Sequence, residues 1–198
     1  MMKEFEIRAD YTRDTIVVYQ AYNKAIAKAA VENQKFSAPF SFSRMTWIKP
    51  SFLWMMERSN YGQKSNQECT LAIHIKREAW EKALKLAILT SPEKRVYPNP
   101  KIWEEEFENA KVYVQWDPER NIKGNKLEYR SIQIGISRYL IEEFNEDWIV
   151  KIEDYSPLVK KILNLTKQGE FNKAKKLLPI EKIYPLSYEI AQRIGSEN

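Results

Sequence analysis

Glycine is scarce in this chain, five residues in 198. That scarcity excludes a glycine-cradled phosphate loop, and neither a Walker lysine motif nor a dinucleotide fingerprint is present. A nucleotide, if bound, is therefore not held on a glycine-rich helix terminus. The single cysteine, Cys69, rules out an internal disulfide framework and fits a reducing cytoplasm. With one cysteine and one histidine, His74, the usual Cys/His zinc sites cannot be built, and no metal is expected. His74 lies in LAIHIK, where Leu71, Ile73 and Ile75 alternate onto one face and Ala72, His74 and Lys76 onto the other. That is the pattern of a strand histidine on the less buried face. There is no nucleophile elbow of the hydrolase kind. No apolar run approaches the roughly 18 residues of a membrane span, and MMKEFEIRAD lacks the apolar core of a secretory signal. The expected setting is cytoplasmic, with no membrane partner.

What is present is ordinary in bulk: 43% hydrophobic and 30% charged residues, enough apolar surface for a globular core. The length fits one domain with a small appendage. The net charge of +5 is unevenly placed. From Tyr155 onward there are eight Lys/Arg against four Asp/Glu, which leaves 24 against 23 for the preceding 154 residues. A basic tail suits a phosphate-rich partner such as nucleic acid, or a plainly solvated helical surface.

Periodicity divides the chain into short elements. Residues 5–8 and 15–20 (TIVVYQ) read as strands about a turn. A helix follows from Asn23, which can cap it, with Ile26, Ala27, Ala30 and Val31 at helical spacing. Residues 44–48 read as a strand, and Pro50 suits the first turn of a helix running to about Ser59. Cys69–Lys76 is a strand, followed by a helix over 78–89 with Trp80, Ala83, Leu84 and Ala87 inward. A charged helix over 101–109 precedes the strands KVYVQWDPER, ended by Asp117-Pro118, and YRSIQIG. Residues 137–146 read as helix and 148–152 as strand, and everything beyond Ser156 reads as helix. Strands and helices do not alternate as regular βαβ units, so the fold class is α+β, with a mixed, mainly antiparallel split sheet and flanking helices. Residues 1–154 form the body, and 155–198 a basic helical extension packed on it.

The densest segment is Arg44–Arg58, RMTWIKPSFLWMMER, which joins two tryptophans and three methionines to fixed positive charge. Such a mixture suits a pocket wall. Phe52, Trp54, Met55 and Met56 run almost round the helix, so the expectation is a core helix with functional ends, Trp47 to Lys49 and Arg58 to Tyr61. Elsewhere, Gln20 in VVYQAY and Gln133 in YRSIQIG place amides among apolar neighbours, where a buried amide needs backbone or ligand partners. Arg8, Lys49, Arg58 and Arg130 supply cations. Together these residues fit a cleft for an anionic ligand, or a polar sheet face covered by loops. Asp117 and Glu119 in WDPER are the obvious carboxylates, serving a strand-end turn or acid, base and electrostatic roles.

The motifs IRADY, TIVVYQAY, RMTWIKPSFLWMMERSNYG, VQWDPER and YRSIQIG, followed by WIVKIED, resemble domain of unknown function 4291 over about residues 5–160. That family name carries no activity. More distantly, a strand ending in a polar residue before the helix IAKAAVENQKF resembles the opening of ADP-ribosyltransferase-like folds. Those are split-sheet NAD-binding domains without glycine loops. The resemblance implies Gln20 at the position of a first-strand His or Arg, Trp47 or Tyr61 as the stacking residue, and Gln133 in place of the commoner Glu. It implies an NAD-binding transferase of ADP-ribose, with nucleic acid as a candidate acceptor. On that mapping Gln133 and Gln20 are catalytic, Asp117 of WDPER joins them as the carboxylate candidate, and Arg8, Trp47, Lys49, Arg58, Tyr61 and Arg130 are the candidates to hold NAD. The same residues also fit a non-enzymatic nucleic-acid-binding module built on aromatic and basic side chains, or a partner-binding surface of Trp and Met.

Overall fold

The computed structural model describes residues 3–197, and the chain builds an α+β fold on two main sheets and a two-stranded ribbon. After a short β1 (Arg8–Ala9), β2 (Thr15–Tyr22) leads into α1 (Lys24–Asn33). Asn23 caps α1 as its sequence position requires, its side chain accepting from the Ile26 N–H. A loop then enters β3 (Thr46–Ile48) and α2 (Phe52–Ser59). The cap of α2 is Ser51, which accepts from the Trp54 N–H, so Pro50 stands outside the first turn rather than in it. A serine oxygen satisfies an orphan N–H that proline cannot.

β4 (Cys69–Lys76) is followed by α3 (Arg77–Leu86) and β5 (Ala87–Leu89). The helix expected through Leu89 stops three residues early. Ala87, Ile88 and Leu89 are all buried and pair in parallel with the start of β6, which satisfies their backbone without further helix. Then come α4 (Pro100–Glu108), β6 (Val112–Arg120) and β7 (Lys126–Ile136). β6 does not end at Asp117-Pro118; it continues to Arg120 past an irregularity in the ladder between Pro118 and Arg120. α5 (Ile141–Glu143) runs into a π-helical turn, Phe144–Trp148, then β8 (Ile149–Asp154), α6 (Ser156–Lys167) and α7 (Phe171–Lys175). The remaining chain is not all helical. β9 (Lys182–Ile183) pairs antiparallel with β1 before α8 (Tyr188–Ile194).

The sheets run β2-β4-β8, antiparallel throughout, and β3-β7-β6-β5, in which only β5 is parallel to its neighbour. Alternation sorts their faces. Ile16 and Val18, Leu71, Ile73 and Ile75, and Val112, Val114, Ile132, Ile134 and Ile136 enter one core with Trp80 and Leu84 of α3. The opposite face of β2 and β4, carrying Val17, Tyr19 and Ala72, packs a second core with Phe52 and Met56 of α2 and Val159 and Ile162 of α6. The two sheets meet where the Tyr19 N–H donates to the Lys49 carbonyl at 2.7 Å. There the Gln20 amide donates to Thr46 Oγ1 at 2.6 Å and to the Trp47 carbonyl at 2.9 Å.

The last segment is tied to α2. Glu181 accepts from the Phe52 N–H at 2.7 Å. Burial, with Glu119 and Asp10 nearby, pushes its carboxyl up to about 8 against the partial relief of that hydrogen bond and of Arg8. The folded protein therefore binds a proton here that the unfolded chain releases above about 4.5. Stability from this group is present in full below about pH 4.5 and is lost as pH rises through about 8. Thermal melts of Glu181→Gln between pH 5 and 8 should show a flatter decline than the wild type; parallel curves would remove Glu181 as the source.

Candidate functional site

The outer face of β3-β7-β6 carries the polar residues that alternation keeps out of the core. Trp47 and Lys49 point there from β3 and its exit, Gln115 and Asp117 from β6, and Gln133 from β7. Gln115 stands opposite Gln133, and Trp47 opposite Gly135, so the face is aligned by the ladder itself. α2 walls it with Trp54, Met55 and Arg58, and the end of β2 and the loop before β3 close it with Tyr22, Phe40, Arg44 and Met45. The result is a cavity of about 800 Å³, within the range of small-molecule sites.

Asp117 is the hub of its floor. Oδ2 accepts from Lys49 Nζ at 3.1 Å and from Gln133 Nε2 at 2.8 Å, while Oδ1 accepts from Gln115 Nε2 at 2.8 Å. Lys49 is only 2% exposed, and its ammonium lies 3.6 Å from the centroid of the Trp54 ring. Burial lowers its pKa to about 8, held up from further descent by the Asp117 carboxylate and then by Glu119. A second tie, two residues further along both segments, fixes the same crossing: Ser51, the cap of α2, donates to Glu119 Oε1 at 2.9 Å. Glu119 is itself buried and also accepts from the Arg120 N–H. A carboxylate restrained by three side chains, a desolvated cation and aromatic walls make an organised electrostatic site. At the mouth, Arg44 and Arg58 are exposed and, among the described residues, make no ion pair.

Of the residues singled out in sequence, Gln20, Trp47, Lys49, Arg58, Asp117 and Gln133 all line this cavity. Gln20 lines it as a buried tie between β2 and β3, with both amide protons engaged. Arg8, Tyr61 and Arg130 lie elsewhere. Arg8 pairs with Glu6 beside Tyr129. Tyr61 donates its hydroxyl to the Ile122 carbonyl. Arg130 holds Glu4 at the sheet edge and donates to the Trp116 carbonyl. Glu119 is held by Ser51 and is not part of the lining. His74 faces Glu153 at 2.6 Å on β4 and β8, away from the cavity.

Gln115, Trp54 and Arg44 belong to the site and were not among the sequence candidates. Gln115 had a readable signal, since it shares strand parity with Asp117. Trp54 did not: its helix is largely core, with Phe52 and Met56 buried, and only packing shows that its ring turns to Lys49. Gly135 matters for space rather than for backbone freedom. A β-carbon there would meet Met45 Sδ at 2.9 Å and the Trp47 ring at 3.0 Å, so the indole lies against bare backbone.

The architecture is that of a split-sheet α+β protein with a carboxylate-centred, aromatic-walled cleft at the junction. The family profile described as "Domain of unknown function (DUF4291)" matches residues 6–184, and the chain belongs to that family. No curated protein matches the chain.

Two measurements follow from this geometry. The Lys49 ammonium, followed by NMR, should titrate near 8, and Asp117→Asn should move that titration lower, because the carboxylate is the main group opposing desolvation. A Lys49 titration above 10 in the wild type would contradict the burial. Gly135→Ala should push the exposed Trp47 ring and Met45 outward, since a β-carbon there would meet Met45 Sδ and the indole edge at 2.9–3.0 Å. The shift should appear as a change in tryptophan emission with little change in the urea midpoint; unchanged emission would place the indole elsewhere.

Proposed function

We propose that the cavity binds NAD and that the protein transfers or releases ADP-ribose by cleaving the nicotinamide–ribose bond. The observation that carries this reading is the convergence of Asp117, Lys49, Gln115 and Gln133 on one floor beneath aromatic walls, with Arg44 and Arg58 at the rim making no ion pair among the described residues. NAD offers what these groups recognise: flat rings for Trp47, Tyr22 and Phe40, a pyrophosphate for the rim arginines, and hydroxyls and a carboxamide for the glutamines. The absence of a glycine loop is consistent with a dinucleotide held by side chains.

In the reaction the bond between the anomeric carbon and the pyridinium nitrogen breaks, and its electron pair leaves with neutral nicotinamide. An acceptor hydroxyl, amine or water adds at that carbon and gives its proton to solvent. Positive charge builds on the ribose as the bond lengthens, and a fixed carboxylate stabilises it. On this reading Asp117 does this. Gln115, Gln133 and Lys49 hold it in one orientation, so little reorganisation is needed as the charge develops. Lys49 also offsets the cost of keeping a carboxylate beside aromatic surface.

Calorimetric titration with NAD, together with chromatographic assay of released nicotinamide, tests the reading. The wild type should bind NAD below millimolar concentration and release nicotinamide. Asp117→Asn should lose roughly 10²–10³ of that rate, with binding changed far less, and Gln133→Ala should lose activity with the fold intact. No binding heat at millimolar NAD and no nicotinamide would sink it.

A further inference from the structure

The charge of the protein is concentrated in one small piece of structure. Between Ser156 and Leu178 there are six lysines and one acid, Glu170, a net of +5 that equals the net charge of the entire chain. The remaining residues are balanced. All six, Lys160, Lys161, Lys167, Lys173, Lys175 and Lys176, are exposed. Among the described residues only Lys173 has an ion-pair partner, Glu170.

The helices that carry them are amphipathic in a definite sense. Val159 and Ile162 of α6 and Ala174 of α7 are buried in the second core, with Leu165, Phe171 and Leu177 packed against it. The lysines take the opposite face, where Lys160, Asn164 and Lys167 follow one another at helical spacing. Lys123, from the turn between β6 and β7, reaches the same place, its ammonium 5.0 Å from the centroid of the Phe171 ring. Lys123, Phe171, Asn172, Lys173 and Lys175, with the Glu170 carboxylate that pairs with Lys173, line a depression of about 500 Å³ there.

We infer that the α6–α7 face is a docking surface for the phosphate backbone of a nucleic acid. Unpaired like charges on one face repel one another and lower stability, so a polyanion that neutralises them gains on contact and releases its counterions. Every cation is a lysine, a flexible point charge suited to phosphates at variable spacing and to weak sequence preference. Phe171 and Asn172 add an aromatic edge and an amide to the lining of that depression, which favour a nucleotide over a featureless polyanion. An anionic membrane fits less well. Among the described residues Ser156–Leu178 carries no exposed large apolar side chain, Ile180 just beyond it being the nearest in sequence, so the face has little to insert. Binding at this surface does not require the proposed transfer reaction; it would bring a polymeric acceptor to a protein whose cleft opens on another face of α2.

The test is fluorescence anisotropy of the full chain with labelled single-stranded and duplex oligonucleotides over a salt series, without NAD. The wild type should bind both, with affinity falling steeply and log-linearly with salt, by up to about 0.9 per neutralised phosphate on the duplex. The triple variant Lys160→Glu, Lys161→Glu, Lys167→Glu should bind at least about tenfold more weakly with a shallower slope. Lys64→Glu, Lys94→Glu, Lys101→Glu makes the same charge change at exposed positions elsewhere and should bind within about threefold of wild type if the effect belongs to the patch. Circular dichroism and thermal melts establish that both variants are folded. Equal losses in the two triples, no binding at low salt, or binding to phosphatidylserine vesicles or polyglutamate as tight as to oligonucleotide would each overturn the inference. NAD binding is measured separately, so failure of either reading leaves the other to be judged on its own result.

Discussion

The contact on which the site depends is the pair between Lys49 and Asp117. It joins the exit of β3 to the middle of β6 across the face of the sheet, with the ammonium covered by the Trp54 ring. Taking a lysine to 2% exposure is costly, and an isolated pair of this kind seldom repays its desolvation. Here the cost is spread. Gln115 and Gln133 satisfy the carboxylate, the aromatic face takes part of the ammonium charge, and Ser51–Glu119 pins the same two segments two residues on. Burial still leaves its mark in the depressed lysine pKa. A polar cluster kept under that penalty, and open to a cavity, is better explained by what it does than by stability.

The sheet makes this possible by simple parity. Along β6, Val112, Val114 and Trp116 enter the core, which obliges Gln115 and Asp117 to face the other way. Along β7 the same rule sends Ile132 and Ile134 inward and Gln133 outward. The register then sets Gln115 against Gln133, so three side chains from two strands meet without any loop having to place them. Elements of regular structure hold a site more firmly than loops do, and the floor is built from them. The loops supply the rim instead, with Arg44 and Phe40 before β3 and Asn66 and Gln67 after α2.

On α2 the two functions of a side chain overlap. Phe52 and Met56 anchor the helix in the second core, Met55 is shared, and Trp54 and Arg58 turn to the cavity. The same helix is capped from a distance by Glu181, so the segment after α7 braces the wall of the cleft. α6 and α7 back that helix from the far side, their apolar residues in its core and their lysines in water.

Much of this was determined by the sequence alone, wherever a local rule acts. Asn23 starts a helix because its side chain can take an orphan N–H. The alternating residues of β4 and β7 sort themselves because successive strand side chains oppose one another. The concentration of lysine after Tyr155 is composition and needs no fold to be seen. Even the site was partly legible, since Gln133, Lys49 and Asp117 are polar residues set where apolar ones would be cheaper. Tertiary structure decided what depends on distant partners. Ala87–Leu89 became strand because the edge of β6 was there to receive it, and Lys182–Ile183 because β1 was. Arg8 and Arg130 were drawn to Glu6 and Glu4, and Tyr61 to a carbonyl, because a hydrogen bond is made with whatever folding brings within 3 Å or so. The pairing of Lys49 with Asp117, 68 residues apart, is of that second kind: periodicity says which face a residue takes, and only the assembled sheet says what it meets there.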